Sequence, residues 1–248
     1  MAELLELLDA GLPEPTRGAF TTRTGGVSAH AWSGLNLSVK VDDQFSRVAV
    51  NRELLERQVG GPLVLAQQVH GRGVGLVDGP SGRGRLSGVR GVDALVTTVP
   101  QLRLTVLGAD CLPVLLADPV AGVVAAAHVG RAGLALGVLL ETLRVMAEQG
   151  AEPVRTAASI GPGACGRCYE VPDDLAAESE RLAPGSRSTT RQGTSSIDLQ
   201  AGATRQLTGA GVTAVSFVGG CTVEQPERFY SYRRDGLTGR HAGVVWLP

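Results

Sequence analysis

Residues 104–130 form the most apolar stretch of this 248-residue chain, and the stretch carries a turn in its middle. Two runs rich in Val, Leu and Ala, Leu112–Ala117 and Val123–Ala127, are joined by Asp118-Pro119-Val120-Ala121-Gly122. Proline cannot donate to a ladder and Asp and Gly favour turns, so the pattern predicts a buried hairpin. Asp110 and Asp118 interrupt the stretch too often for a membrane span of about 20 residues. A four-residue loop would set Ala117 opposite Gly122 and Cys111 opposite His128. Directly opposed Cβ atoms lie about 4.5–5.5 Å apart on one face, so a thiol and an imidazole would converge. A one-residue slip would send them to opposite faces.

Two chemistries fit such a pair: a Cys nucleophile activated by His, or two of the three protein ligands of a catalytic zinc. The chain has four histidines, His30, His70, His128 and His241. His70, in Gln67-Gln68-Val69-His70-Gly71 at the end of an apolar strand, is the best third ligand. A plainer reading also fits the spacing, with Cys111 a small core residue and both histidines hydrogen-bonded structural groups.

Around the hairpin, short runs bounded by Gly, Pro or Asp predict strands at Gly18–Arg23, Leu63–Gln67, Gly73–Val77, Ala94–Val99 and Leu102–Leu107, and near 156–160, 213–218 and 242–247. Helices are predicted at 2–10, at about 46–58 with Ser46 as N-cap, at 134–149, at 172–183, and at 198–208 with Asp198 as N-cap. Residues 79–91 and 184–195 read as loops, the latter polar and mobile. Strands outnumber helices and include hairpins, so an α/β fold with a mixed sheet is expected, as one domain over residues 1–248 with 1–16 as an N-terminal appendage.

Composition narrows the partners. Net charge is −1, no block of like charges occurs, and only nine residues are aromatic, four Phe, three Tyr and two Trp. Neither nucleic acid nor an anionic membrane is an expected partner, and a small molecule is. The acidic start, Met1-Ala-Glu-Leu-Leu-Glu, has no basic n-region, so a cytoplasmic protein is expected. Four irregularly spaced cysteines do not make a disulfide framework. Cys165-Gly166-Arg167-Cys168 is a CxxC, but it follows a Gly-Pro-Gly turn and opens no helix, unlike a thioredoxin-type redox pair. A closed metal site there would need Cys221 and one more ligand.

Two further segments offer anion contacts. Gly130-Arg131-Ala132-Gly133 precedes a helix, and its backbone N–H groups either receive an anion or make an ordinary turn. Phe229-Tyr230-Ser231-Tyr232-Arg233-Arg234-Asp235 sets two phenols beside a double arginine, suited to a flat base and a phosphate, or to a turn held by Arg234 and Asp235.

Several ordered motifs together resemble the YfiH family, whose members are variously called laccase-domain proteins, multicopper polyphenol oxidoreductases, peptidoglycan editing factors or purine nucleoside phosphorylases. They are Gln67–Gly71, Ala109-Asp110-Cys111-Leu112-Pro113, Ala126-Ala127-His128-Val129-Gly130, Ile160–Pro162 with Cys168–Val171, and Cys221–Leu247. Thr21-Thr22-Arg23, Gly25-Gly26-Val27-Ser28 and Leu35-Asn36-Leu37 also look like the family. The resemblance implies a three-layer α/β sandwich with mixed sheet, similar to the catalytic domain of cytotoxic necrotizing factors. It implies a zinc site of His70, Cys111 and His128, with copper as the other metal. It further implies phosphorolysis of adenosine, inosine and S-methyl-5′-thioadenosine, with adenosine deamination in the same pocket.

On that reading Cys111, His128 and Asp110 are catalytic, Asp110 as a proton carrier, and Arg23, Asn36, Gln68, Arg131 and Arg233 bind nucleoside and phosphate, in a monomer. The chain departs from the family where His-Ala-Gly-Trp-Arg-Gly is usual: here the run is His128-Val129-Gly130-Arg131-Ala132-Gly133, without the Trp and with the Arg displaced. The family's Pro-Tyr pair is Ala31-Trp32, and one of its adjacent cysteines is Arg167. Other readings are a Cys-His amidase editing peptidoglycan precursors with Cys111 as nucleophile, a copper-dependent polyphenol oxidase, and a non-catalytic zinc-stabilised module. A single Cys-His₂ site lacks the ligands for several coppers.

Overall fold

The computed structural model describes residues 5–79 and 88–248. In chain order the elements are β1 (Leu7–Asp9), β2 (Arg17–Thr21), α1 (Phe45–Val59), β3 (Leu63–Leu65), β4 (Val74–Leu76), β5 (Ala94–Thr97), β6 (Arg103–Gly108), β7 (Leu112–Asp118) and β8 (Val123–Val129). There follow α2 (Arg131–Ala135), α3 (Val138–Glu148), β9 (Ala157–Ile160), α4 (Asp173–Leu182), β10 (Arg187–Thr189), β11 (Ser195–Ile197), α5 (Leu199–Gly209), β12 (Ala214–Phe217), α6 (Tyr232–Asp235) and β13 (His241–Trp246). The α/β class with mixed sheets is as the sequence predicts.

One sheet has the order β1-β2-β13-β6-β3 and the other β12-β9-β7-β8-β5-β4; β10 and β11 pair by themselves. Side chains alternate across β7 and β8, which places the layers. Leu115, Ala117, Val124 and Ala126 join Phe20, Leu104, Val106 and Val245 of the first sheet in a core between the sheets. Their neighbours Leu112, Val114, Leu116, Val123, Ala125 and Val129 pack against Leu134, Leu139, Leu143, Met146, Ala203 and Leu207 of the helical layer. Burial on both faces explains why β7 and β8 are apolar at nearly every position. On the other side, α1 lays Leu55 and Val59 against Leu63, Leu65 and Val244.

Several expectations are corrected. The hairpin forms, but Asp118 pairs with Val123, so the loop is Pro119–Gly122 and Pro113, not Cys111, faces His128. The cause is the Asp118 side chain, which accepts from the N–H groups of Val120 and Ala121 at 3.0 and 3.1 Å and keeps Asp118 in the ladder. The ladder ends at Leu112 and Val129, and Cys111, just before it, lies beside Gly130, two residues on from His128. A shift of two preserves the face, so Cys111 and His128 remain diagonal neighbours on the side toward the other sheet.

At the N-terminus, residues 7–9 form the edge strand β1, paired with β2, where a helix was predicted; residues 1–4 lie outside those described. The helix predicted at 134–149 is two helices, divided where Gly137 takes φ +77°. Gln44, not Ser46, is the N-cap residue of α1. The 184–195 loop contains β10 and runs up to the start of β11, so it is largely a hairpin. Most of the 79–91 loop lies outside the described residues.

Candidate active site

At the end of the inter-sheet space the donor atoms of His70, Cys111 and His128 all lie within 4.8 Å of one another. His128 is the last even-numbered residue of β8 and is buried. Cys111 precedes β7, next to Asp110, whose φ of +88° turns the chain into the strand. His70 comes from the loop after β3, and its ring meets that of His128 edge-on with centroids 4.9 Å apart. Gly130 leaves the room they occupy: a Cβ there would stand 2.9 Å from Cys111 Sγ and 3.2 Å from the His70 ring. A Gly130→Ala variant, whose φ of −92° a side chain tolerates, should therefore keep its melting temperature while kcat/KM falls about 100-fold, the usual cost of a misplacement near 1 Å. Unchanged kinetics would remove the trio from the active site.

One residue orders this trio, and the sequence reading passed over it. The buried Asp93 carboxylate accepts from His128 Nδ1 at 2.9 Å and from the backbone N–H groups of Val69, His70 and Gly71 at 3.2, 2.9 and 2.7 Å. Those bonds hold a loop in which Gln68 and His70 both adopt left-handed φ, +58° and +60°, which non-glycine residues rarely take. With Nδ1 engaged, His128 presents Nε2 to the site, as metal-binding imidazoles do. A buried acid at the start of an apolar strand, in Val92-Asp93-Ala94, was the available signal.

The electrostatics follow from this geometry. Burial by itself would raise the Cys111 thiol, but the His128 and His70 rings outweigh it and bring it down to about 6. Burial would likewise lower His128, yet the Cys111 thiolate and the Asp93 carboxylate hold its imidazolium up to about 9. In metal-free protein the pair is therefore an ion pair between about pH 6 and 9. Alkylation of Cys111 by iodoacetamide should persist down to about pH 6 in chelator-treated protein, where an ordinary thiol, with a pKa of about 8.5, is already unreactive. A midpoint near 8.5 would contradict the pairing. One soft sulfur and two imidazole nitrogens with a free side suit zinc or copper.

Beside the trio is a cavity of about 510 Å³. Lys40, Arg52, Arg90 and Arg240 line it together with Tyr232, and no carboxylate does so among the described residues. Arg52 is buried and donates Nε–H to the Leu37 carbonyl at 2.9 Å; burial lowers its pKa to about 10. Burial also lowers Arg240, which lies over the Tyr232 ring at 6.0 Å.

Of the residues expected to bind substrate, Gln68 lines this cavity, but its amide is engaged with the Leu107 backbone at 2.7 and 2.8 Å. Asn36 is buried behind it, accepting from the Arg240 N–H at 3.0 Å and so positioning Arg240. Arg23 stacks on Tyr230 at 4.7 Å and donates to Ser33 and Pro226 carbonyls, outside the cavity wall. Arg233 lies over the Tyr169 ring at 4.9 Å, and neither it nor Arg131 lines the cavity. Asp110 accepts from Thr222 Oγ1 and from the Arg233 N–H, both at 2.6 Å. Arg234 instead pairs with Asp235 and caps the Thr222 and Phe229 carbonyls, which is the turn-stabilising alternative. Since α2 is a single turn, only a short helix stands behind Gly130 and its macrodipole is correspondingly small.

With this arrangement in view, the chain's kinship is plain. Residues 17–248 match the family model of multi-copper polyphenol oxidoreductase laccases, and the chain belongs to that family. Among its relatives, a protein of Streptomyces griseus named purine nucleoside phosphorylase is 49% identical over 232 residues, 92% of this chain and 93% of the relative. A Corynebacterium glutamicum protein of the same name is 44% identical, covering 94% and 95%. The crystal structure of YlmD from Geobacillus stearothermophilus superposes with a TM-score of 0.90 at 29% identity over 99% of both chains, and YfiH of Bacillus licheniformis with 0.85 at 28% over 96% of both. No helix among the described residues is long and apolar enough to cross a membrane.

Proposed function

We propose that this protein is a purine nucleoside phosphorylase whose reaction takes place between the His70, Cys111 and His128 trio and the adjoining cationic cavity. The observation that carries this reading is the cavity wall of Lys40, Arg52, Arg90 and Arg240, free of carboxylates among the described residues. Such a wall concentrates an anion, and guanidinium groups bind phosphate with charge-assisted hydrogen bonds. The names of the relatives support the same substrate pair, nucleoside and phosphate.

Phosphorolysis joins a phosphate oxygen to C1′ of the sugar as the C1′–N9 bond breaks, and the purine leaves with the bonding electrons. The cations hold the phosphate against C1′ and stabilise its charge as the bond forms. Tyr232 offers an aromatic face to the nucleoside. His70, Cys111 and His128 would hold a zinc ion, with copper as the second candidate, and a metal there supplies Lewis acidity beside the substrate. The same residues would serve deamination of adenosine. Asp110, with both oxygens engaged by Thr222 and Arg233, holds the Arg233 segment against Cys111.

Chromatography of adenosine, inosine and S-methyl-5′-thioadenosine incubated with the protein, with and without phosphate, tests this directly. Free base that needs phosphate is the expected product, and inosine from adenosine without phosphate identifies the deaminase. Neither product from folded, metal-loaded protein would overturn the reading. Replacing Arg240 by methionine should raise the KM for phosphate about 10- to 100-fold, the worth of one charged hydrogen bond, with kcat less affected.

A second reading rests on a specific observation. Cys111, His128 and Asp93 form a nucleophile, base and orienting carboxylate in sequence, the arrangement of a thiol hydrolase. An amidase acting on peptidoglycan precursors would keep its activity after chelation, whereas the phosphorylase would lose it.

A further inference from the structure

The four cysteines fall in two places. Cys111 belongs to the site above, whereas Cys165, Cys168 and Cys221 gather with Glu224, and one donor atom from each of these four lies within 4.8 Å of all the others. The backbone brings them together. Cys165 to Cys168 is a turn in which the N–H groups of Cys168 and Tyr169 both bond the Cys165 carbonyl, at 2.9 and 3.0 Å. Gly163 bridges to Cys221 in parallel register, and the Cys165 N–H is directed at Cys221 Sγ at 3.4 Å. Neither phosphorolysis nor deamination employs any of these groups.

We propose that Cys165, Cys168, Cys221 and Glu224 form a second, structural metal site that takes a thiophilic divalent cation, zinc foremost. Three thiolates and a carboxylate are a tetrahedral zinc donor set. Zinc–sulfur bonds of about 2.3 Å put ligand sulfurs about 3.8 Å apart, so donors already within 4.8 Å close by about 1 Å, a movement of side chains alone. Without a cation the thiols turn to the carboxylate, Cys168 Sγ donating to Glu224 Oε1 at 3.3 Å and Cys165 Sγ directed at the same oxygen at 4.0 Å. Burial first, and then the neighbouring carboxylate and thiols, push Cys168 upward, and burial does the same to Cys221. A divalent cation offsets the repulsion that thiolates would otherwise feel. The complex would still carry excess negative charge, and Arg191 from the β10–β11 hairpin pairs with Glu224 at 2.5 Å as a counter-charge. The CxxC opens no helix, so it lacks the helix N-terminus that lowers a thiol pKa in many redox pairs.

The site would staple the segments that pack beside Asp110, the neighbour of Cys111. Tyr169, which carries Arg233 on its ring, follows Cys168; Thr222, which holds Asp110, follows Cys221. Metal content separates the two centres. Zinc-loaded full-length protein should hold two ions per chain, falling to one in Cys168→Ser or Cys221→Ser. Cobalt reads the second site alone in a Cys111→Ala background, which removes the only thiolate of the first. Thiolate-to-cobalt charge-transfer absorption should remain in Cys111→Ala and vanish in Cys111→Ala/Cys168→Ser. Cobalt titration of the unaltered cysteines in Cys111→Ala answers the question even where a serine variant misfolds. Absence of those bands in folded Cys111→Ala would overturn the proposal, as would a Cys165–Cys168 disulfide in protein purified under reducing conditions.

Discussion

Cys111→Ala is expected to reduce kcat/KM for phosphorolysis about 10³-fold or more and to abolish tight metal binding at the trio. The sulfur is the single soft donor between two imidazoles, and Lewis acidity at the reacting centre contributes several kcal/mol, each 1.36 kcal/mol being tenfold in rate. The fold should survive, because Cys111 precedes β7 and contributes no ladder bond of its own to β8. Steady-state kinetics together with metal analysis separate the outcomes. Equal loss on chelation and on substitution places a metal in the chemistry. Loss on substitution but not on chelation would make Cys111 a nucleophile and transfer the case to the amidase.

The second large effect is expected at a residue that touches no substrate. Asp93→Asn replaces a four-fold acceptor, and an amide can accept only through its single oxygen. Both histidine donors lose their orientation together, so metal affinity should fall about 10- to 100-fold, as it does when partners behind metal-binding histidines are removed. Stability falls as well. Burial would raise the Asp93 carboxyl, but the His128 ring and the N–H groups of Gly71 and Val69 outweigh it and hold it below its ordinary value of 3.8. A carboxyl depressed on folding adds stability that is present above the unfolded pKa and is lost as pH falls through the lower, folded value. Metal-free wild-type protein should therefore lose this increment only below about pH 4, whereas Asp93→Asn lacks it at neutral pH, as parallel melting curves would display. Equal metal affinity in the two proteins would limit Asp93 to a structural role.

How much of this was readable beforehand depended on the range of the interaction. The hairpin was legible because its two runs and its turn are contiguous. The convergence of Cys111 with His128 survived an error of register because the error was even: Asp118 stayed in the ladder, and every side chain kept its face. A three-residue edge strand such as β1 is too short to show a period of two, and its Leu-rich sequence matches a helix equally well. The division between α2 and α3 depended on one glycine inside an apolar helical pattern. The cationic cavity was not legible at all. Lys40, Arg52, Arg90 and Arg240 come from four separate segments, and no spacing in the chain announces that they meet. Asn36 was singled out as a substrate contact, but it stands behind Arg240, a partner it meets only in the folded chain.

The position of β13 bears on how the molecule is made. It is the last strand in the chain, yet it lies between β2 and β6, with antiparallel ladders on both sides. During synthesis β2 with its neighbour β1, and β6 with its neighbour β3, leave the ribosome early, and no strand links the two pairs until residues 241–246 follow. Arg240 precedes that strand directly, so the cationic cavity is completed in the same event. A chain arrested or clipped before its final segment thus carries His70, Cys111 and His128 but neither a closed first sheet nor Arg240 in the cavity.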